Sequence, residues 1–307
     1  MVALPRDPSE LPRPLPDGRM LHVSKPHSYQ KLFYWSRVLQ EYATRTKFMW
    51  AGRRVCVDLF ASCGIYQDSE TEELGWGSPL LALHAINPFD VYIFGEKDPD
   101  RASVLADRVD DSGLVRAETV RLDLADPDVM RVARDFKALT VDGPKCAVIT
   151  GDANTAVPIV KLMMPAFERR RMALTMLDPY GVCFDWDSLA MLTLHERIDL
   201  LIYFPEDIDL ERNWRLKQRT DRYMPTGADW QTAVSAAPRN RGRVFREIYQ
   251  EGLERQLGLK VGVPKPIRAR NREIYKLLYA SRHEKGLEVW EHARREDPSG
   301  QIELYLA

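Results

Sequence analysis

The feature that most constrains the fold is an alternation of short apolar runs with amphipathic segments over the first two thirds of the chain. Each run is rich in Val, Ile and Leu and is bounded by polar or turn residues, as is typical of a buried strand. Because helical patterns separate the runs, we expect an α/β fold with a Rossmann-like, doubly wound, mostly parallel sheet. The five main predicted strands are Arg53–Phe60, Asp90–Glu96, Lys145–Thr150, Met172–Leu177 and Ile198–Phe204.

The segments between and around these strands complete the pattern. A small extra strand is expected at 118–122, and a further strand at 273–279. The stretch between the first strand and Gly77 reads as a loop, after which Ser78 is expected to cap a helix and Pro79 to be its first residue. Apolar residues at helical spacing predict helices at 27–50, 80–86, 99–108, 127–138, 156–169, 186–196 and 284–295.

Polar residues stand at the carboxyl ends of the predicted strands. In a doubly wound sheet these ends meet at one edge, where ligands bind. Gly64 follows Asp58 in the first turn and would let backbone approach a ligand closely. Glu96 can accept hydrogen bonds from both hydroxyls of a ribose, and Asp152 ends the third strand, where a side chain can meet an adenine amino group. Each residue also fits a structural role: a strand exit, a surface carboxylate or a turn.

The type of ligand follows from what the first turn lacks. The chain has no GxxxxGK[ST] motif and no lysine beside the turn, which disfavours a phosphate-binding loop. S-adenosylmethionine (SAM) carries no phosphate and suits such a loop better. The candidate cofactor-binding residues are Asp58, Phe60, Gly64, Gly77, Ser78, Glu96, Asp152 and Asn154.

The candidate catalytic residues are Asp178, Pro179 and Tyr180, at the end of the fourth predicted strand. With Gly181 they resemble the (D/N)PP(Y/F) loop of amino-directed methyltransferases, without its second proline. In that loop the polar side chain receives hydrogens of the attacking amine, and the aromatic ring stacks on a flipped base. Proline and glycine are also favoured turn residues, so a plain turn is the alternative.

Charge is unevenly distributed along the chain. The net charge is −1, but residues 212–283 hold 17 Lys and Arg against 6 Asp and Glu, a local charge of +11. Aromatic residues at 214, 223, 230, 245 and 249 interleave with these cations, a composition that suits stacking on bases. A basic solvated face is the alternative. The candidate nucleic-acid-binding residues are Arg212, Arg215, Lys217, Arg219, Arg268 and Arg270.

Composition limits the remaining possibilities. No apolar run approaches the roughly 20 residues that span a bilayer, and no signal sequence opens the chain, so we expect a cytoplasmic protein without membrane association. The four cysteines lack paired spacing and the six histidines are scattered, so we expect neither a disulfide framework nor a metal site. The expected domains are an extended Pro-rich arm (1–26), a Rossmann-like domain (27–206), a basic helical insertion (207–260) and a closing sheet edge with a C-terminal helix (261–307).

The order of these motifs resembles the three-Cys-motif partner protein (TcmP) family. The motifs are DLFASCG at 58–64, GSPLLAL at 77–83, the strand ending at Glu96, GDAN at 151–154, LDPYG at 177–181, DLLIYF at 199–204, Arg212-Asn213 and residues 275–283. That family is similar to class I SAM-dependent methyltransferases and is encoded beside a protein with a three-cysteine motif. The resemblance thus implies a methyltransferase-type fold, SAM as cofactor and a three-cysteine-motif partner. In the family's usual turn, DLFAGPG, Gly-Pro stands where this chain has Ser62 and Cys63.

Three functions fit this sequence. The first is a SAM-dependent methyltransferase that acts on amino groups of DNA or RNA. The second is a non-catalytic binding protein that works with the three-cysteine-motif partner. The third is a nucleotide-using oxidoreductase, which Glu96 permits but the single glycine of the first turn disfavours.

Overall fold

A nine-stranded sheet forms the centre of the computed structural model, which describes residues 11–48, 53–165, 171–194, 196–210, 214–215, 217–269 and 272–298. The order across this sheet is β6-β7-β5-β2-β8-β9-β12-β10, with β11 also paired to β12. The first six strands in that order are parallel, and β10, β11 and β12 pair antiparallel. The strands are β2 (Arg54–Asp58), β5 (Val91–Glu96), β6 (Val120–Asp123), β7 (Lys145–Thr150), β8 (Met172–Leu177), β9 (Ile198–Phe204), β10 (Lys260–Val261), β11 (Lys265–Ala269) and β12 (Arg272–Ser281).

Helices cover both faces of the sheet, and each face has its own apolar cluster. One cluster takes residues from α1, α2, α3 and α10, and the other from α4, α5, α6 and the helices that follow β9. The α-helices are α1 (Ser28–Thr46), α2 (Ser78–Leu83), α3 (Pro99–Asp111), α4 (Val129–Ala138), α5 (Ala153–Met163), α6 (Trp186–Thr193), α7 (Lys217–Tyr223), α8 (Trp230–Ala236), α9 (Arg241–Arg255) and α10 (Glu284–Arg294); a short π-helix, Glu206–Leu210, follows β9. In the described part of the chain, no helix is long and apolar enough to cross a bilayer.

The doubly wound, mostly parallel sheet predicted from the alternation is confirmed, and several element boundaries are corrected. The helix expected over 27–50 ends at Thr46, and the one expected from 156 begins at Ala153 because the Asp152 side chain accepts the backbone N–H of Asn154. The capping prediction for Ser78 is wrong. Gly77 holds the N-cap position with extended backbone, and Ser78 is the first helical residue.

A second, smaller sheet replaces the loop expected after β2. It has three strands, β1 (His22–Ser24), β3 (Ile65–Asp68) and β4 (Leu74–Trp76), in the order β1-β3-β4. β3 and β4 form a short antiparallel hairpin, and β1 pairs parallel to β3. Strands of three or four residues carry little periodicity, so a sequence pattern does not reveal them.

The described part of the N-terminal arm lies on the domain. Leu11 is buried, and the Trp76 indole donates a hydrogen bond of 2.8 Å to the carbonyl of Pro12. Arg13 forms an ion pair with Glu73 at the β3–β4 hairpin. The arm therefore joins the small sheet to the main domain.

The described part of the basic segment after β9 contains α7, α8 and α9, but four of its aromatic residues are not available for stacking. Tyr223, Trp230, Phe245 and Tyr249 are each at most 3% exposed. They belong to the apolar cluster that also contains Phe204 at the end of β9. The expectation that these four rings contact bases is wrong, because amphipathic helices bury their aromatic face against the sheet. Trp214 is partly buried.

Candidate functional site

Asp58 ends β2, the middle of the parallel sheet, and is 1% exposed. One carboxylate oxygen, Oδ1, accepts the backbone N–H of Phe60 at 3.0 Å. The other, Oδ2, is buried without a hydrogen-bond partner in the described structure. Burial raises the pKa of Asp58 to about 7, although the nearby Ser78 hydroxyl and the Phe60 N–H act in the opposite direction. A buried carboxylate with a spare acceptor is suited to a cationic ligand.

The turn after Asp58 brings two glycines together. The N–H of Gly77 donates to the carbonyl of Gly64 at 2.7 Å. A Cβ at Gly77 would lie 2.8 Å from that oxygen, so no other residue fits there without displacing backbone. Gly64 has φ +86°, a left-handed conformation that glycine adopts readily. The two predicted cofactor-binding glycines thus pack one backbone segment against the other.

Glu96 and Asp152 lie at neighbouring strand ends, since β5 and β7 pair in parallel up to Glu96 and Thr150. Glu96 Oε1 accepts the backbone N–H of Asp98 at 2.8 Å. Asp152 accepts from Asn154 at the start of α5, and its Oδ2 lies 3.3 Å from Lys97 Nζ. Both carboxylates therefore bond to backbone in their own turns, and both lie at the sheet edge where a ligand is expected.

Asn154 holds the loop that follows β8. Its side-chain amide donates to the carbonyl of Cys183 at 2.9 Å, and its oxygen accepts the N–H of Asp185 at 2.8 Å. These two bonds give Asn154 a structural task that its place in the sequence does not reveal.

Asp178 follows β8, next to β2, and forms an ion pair with Lys31 on α1. Asp58 pairs in register with Met176, so Asp178 lies two residues further along the neighbouring strand. The two carboxylates are close enough for the charge of Asp178 to help raise the pKa of Asp58. The structure thus brings the predicted cofactor and catalytic carboxylates to one edge.

A small cleft opens beside the Lys31–Asp178 pair. The ammonium of Lys31 lies 5.2 Å from the ring centre of Tyr203, a cation–π arrangement. His27 and Tyr275 meet there, with ring centres 5.8 Å apart. The cleft is lined by His27, Ser28, Lys31, Asp178, Tyr203, Ile267 and Tyr275.

The loop carrying Tyr180 is held by hydrogen bonds at its base and exposed at its tip. Pro179 is buried, whereas Tyr180 is 99% exposed. Asp209, in the π-helix after β9, accepts the backbone N–H of Val182 at 3.0 Å. Gly181 has φ +78°, and a Cβ there would lie 2.4 Å from Asp209 Oδ2. The loop therefore presents one free aromatic ring at the sheet edge.

The predicted nucleic-acid contacts fall in two places. Arg215, Lys217 and Arg219 are exposed in the segment after the π-helix. Arg268 is exposed on β11 and pairs with Glu273 at 3.0 Å. Its backbone N–H donates to the side-chain amide oxygen of Gln30 on α1, and its carbonyl accepts from the amide nitrogen of the same side chain. β12 extends four residues beyond its pairing with Phe204, so this hairpin projects past the same sheet edge as Tyr180. Arg212 and Arg270 lie outside the described residues.

Sequence reasoning missed the residues that α1 and the late strands contribute to the cleft. Lys31 lies on the polar side of an amphipathic helix, where a lysine usually serves solvation. Tyr203 and Tyr275 stand in strands whose alternation indicates only burial. In the described part of the chain, no group of three or more His, Cys, Asp and Glu is placed to hold a metal ion.

Comparison with known proteins leaves the family unassigned. No protein-family model and no curated protein matches the chain. Among solved structures, a protein of Legionella pneumophila is 10% identical over 83% of this chain and 89% of that one, with a TM-score of 0.39. Magnesium protoporphyrin IX methyltransferase (ChlM) of Synechocystis PCC 6803, with bound SAH, is 8% identical over 83% of this chain and 87% of that one, with a TM-score of 0.34. Likeness at this level does not identify a family.

Proposed function

We propose that the chain is a SAM-dependent methyltransferase that acts on amino groups of nucleic acid. The observation that carries the proposal is the pair of carboxylates at adjacent strand ends, Asp58 and Asp178. Asp58 is buried with a spare oxygen, while Asp178 lies at the border of an open cleft. Asp58 suits a small cationic ligand, and Asp178 suits the amino group of a substrate that enters from the cleft.

The residues of the first turn fit SAM. SAM is cationic at its amino group and its sulfonium, and the spare Oδ2 of Asp58 would meet positive charge. Glu96 has one oxygen engaged by Asp98, which leaves the second for a ribose hydroxyl. At the half-buried Gly77 no side chain covers the backbone, since the atoms nearest to a Cβ there belong to the backbone of Gly64. Asp152 borders the same edge, where a side chain can meet the adenine amino group of SAM.

When bound, SAM supplies an electrophilic methyl group. Asp178 Oδ2 holds the Lys31 ammonium, so Oδ1 would accept a hydrogen of the substrate amino group and direct the nitrogen lone pair. Tyr180 would stack on the base that carries this amino group, because its ring is free on both faces. Pro179 would keep the two residues in fixed relation.

The exposed cations would hold the phosphate backbone on either side of the loop. Arg215, Lys217 and Arg219 lie beyond β9, and Arg268 lies on the β11–β12 hairpin. Contacts of this kind position a nucleic acid without reading its sequence. Four of the five aromatic rings in the basic segment are buried and Trp214 is partly buried, so we assign stacking to the fully exposed Tyr180.

The experiment is isothermal titration with S-adenosylhomocysteine (SAH), the demethylated product, followed by transfer of a labelled methyl group from SAM to mixed DNA and RNA oligonucleotides. We expect saturable SAH binding that Asp58→Asn weakens, and transfer that Asp178→Ala abolishes. Absence of heat on titration with SAH and SAM would refute the proposal. If SAH binds but no methyl group is transferred to DNA or RNA, the assignment of the cofactor stands and the assignment of nucleic acid as the substrate is refuted.

A second candidate is a non-catalytic protein that binds a three-cysteine-motif partner. The ion pair between Lys31 and Asp178 favours it, since the carboxylate already has a partner. Co-expression with the neighbouring three-cysteine protein tests it. Co-purification that survives Asp178→Ala, with function retained, supports this candidate against the enzyme.

A further inference from the structure

The N-terminal arm meets the candidate cofactor turn at one buried guanidinium. Arg108, on α3, has a side chain that is 3% exposed. Its Nη1 donates to the carbonyl of Cys63 at 2.6 Å, while Nε and Nη2 donate to the two carboxylate oxygens of Asp17 at 2.8 and 2.9 Å. The bidentate pair is strong because both partners are charged and planar. One side chain thus links the arm to the turn.

The turn that Arg108 contacts contains a conformation that L-residues disfavour. Ser62, directly before Cys63, has φ +53°. A left-handed conformation costs a serine free energy that it does not cost a glycine. The Ser62 hydroxyl is buried without a hydrogen-bond partner in the described structure, so it does not offset that cost. The conformation therefore depends on contacts made by its neighbours.

We propose that Asp17 and Arg108 clamp the turn 59–64 in the conformation that receives the cofactor, so that the arm is an integral part of the site. Arg108 is a positioning residue, and Asp17 acts through it. The same ion pair holds the pKa of Asp17 at about 2, mainly through the hydrogen bond from Arg108. The inference rests on the proposed function only for the identity of the ligand.

The first measurement follows the thiol of Cys63 and needs no ligand. Cys63 is fully buried, whereas Cys183 is exposed and serves as an internal reference for alkylation by iodoacetamide. Asp17→Asn keeps the shape of the side chain and removes its charge. We expect Cys63 to react about tenfold faster in this variant, since a hydrogen bond between charged groups is lost. Mass spectrometry of the separate peptides reports both rates.

Two further variants separate the clamp from general loosening of the arm. Arg13→Gln breaks another arm ion pair, with Glu73, and should leave the Cys63 rate unchanged. Ser62→Gly removes the conformational cost, so adding it to Asp17→Asn should return the rate to within about twofold of the parent value. Equal acceleration in Arg13→Gln and Asp17→Asn would overturn the clamp.

The second measurement is the SAH dissociation constant by isothermal titration. Asp17→Asn should weaken SAH binding about tenfold, and the double variant with Ser62→Gly should recover it. If Asp17→Asn changes neither the alkylation rate nor the affinity, the inference is wrong. If SAH does not bind the parent protein but the alkylation pattern holds, the clamp stands and the proposed function fails.

Discussion

The two loops that border the candidate site are built in opposite ways. The turn after β2 is closed: Asp58 and Cys63 are buried, Gly64 touches Gly77, and Arg108 secures the backbone from behind. The loop after β8 is open at its tip, because Tyr180 is 99% exposed, while Asp209 and Asn154 hold the residues that follow it. Both loops leave the same edge of the same sheet.

In the proposed function this difference corresponds to a division of tasks. A closed turn with a spare buried acceptor is preorganised for a small ligand, and preorganisation reduces the entropy lost on binding. An exposed aromatic ring beside a cleft can contact a macromolecule, such as the nucleic acid proposed as the substrate. The following predictions test this contrast, starting with the largest expected effect.

Replacing Asp178 should abolish transfer without affecting the closed turn. Asp178→Ala removes the acceptor for the amine, so we expect methyl transfer to fall about 10²- to 10⁴-fold, with SAH affinity changed by less than about twofold. Asp178→Asn keeps an acceptor oxygen and should retain most activity. Single-turnover rates with labelled SAM measure the effect. Equal losses in both variants would contradict the assigned role.

Asp58 should make the stability of the protein depend on pH. Its pKa is raised from 3.8 to about 7 by burial, so the folded state keeps a proton that the unfolded state releases. Stability contributed by this group is present below about pH 4 and is lost as pH rises through 7. Asp58→Asn should remove this slope and raise the free energy of unfolding at pH 8 by up to about 4 kcal/mol. Urea unfolding at pH 5 and pH 8 measures the difference.

The same variant should bind SAH more weakly, by roughly 10- to 100-fold, because a hydrogen bond to a charged group is lost. In the parent protein, SAH affinity should rise between pH 6 and pH 8 as Asp58 ionises. If Asp58→Asn is more stable at pH 8 but binds SAH as tightly as the parent protein, Asp58 does not contact the cofactor.

Replacing Tyr180 should change the affinity for nucleic acid and leave the stability of the protein unchanged. Tyr180→Ala removes the exposed ring, and we expect affinity for single-stranded nucleic acid to fall about tenfold, the cost of one stacking contact. Tyr180→Phe keeps the ring and should bind as the parent does. The melting temperature should not move in either variant, since the ring is exposed. Fluorescence anisotropy with labelled oligonucleotides measures the binding.

The smallest effect concerns the exposed cations. Arg219→Gln should reduce the slope of log affinity against log salt by about one and lower affinity equally for all sequences. Arg131→Gln is the matched control, because Arg131 is exposed on α4, outside the basic segment. An equal change in the two variants would show that the basic segment has no special part in binding.

The sequence alone determined the architecture of the main sheet and the position of the candidate site residues along its strands. Apolar runs separated by helical patterns define strand and helix locally, and parallel topology then places Asp58, Glu96, Asp152 and Asp178 at one edge. Those inferences need only periodicity and chain order. They carry no information on which side chains from distant elements complete the site.

Only the tertiary structure decided which side chains form ion pairs around the candidate site. Lys31 is 147 residues from Asp178 in the chain, and Asp17 is 91 residues from Arg108, so no local pattern connects them. Packing also decided that four aromatic residues of the basic segment belong to the core: Tyr223, Trp230, Phe245 and Tyr249. An amphipathic helix packs its apolar face against the sheet, even where the interleaved cations and aromatic residues predict contact with bases. Ser62 shows the same dependence. Its left-handed backbone stands directly before Cys63, whose carbonyl accepts a hydrogen bond from Arg108 on α3, and that contact exists only in the folded chain.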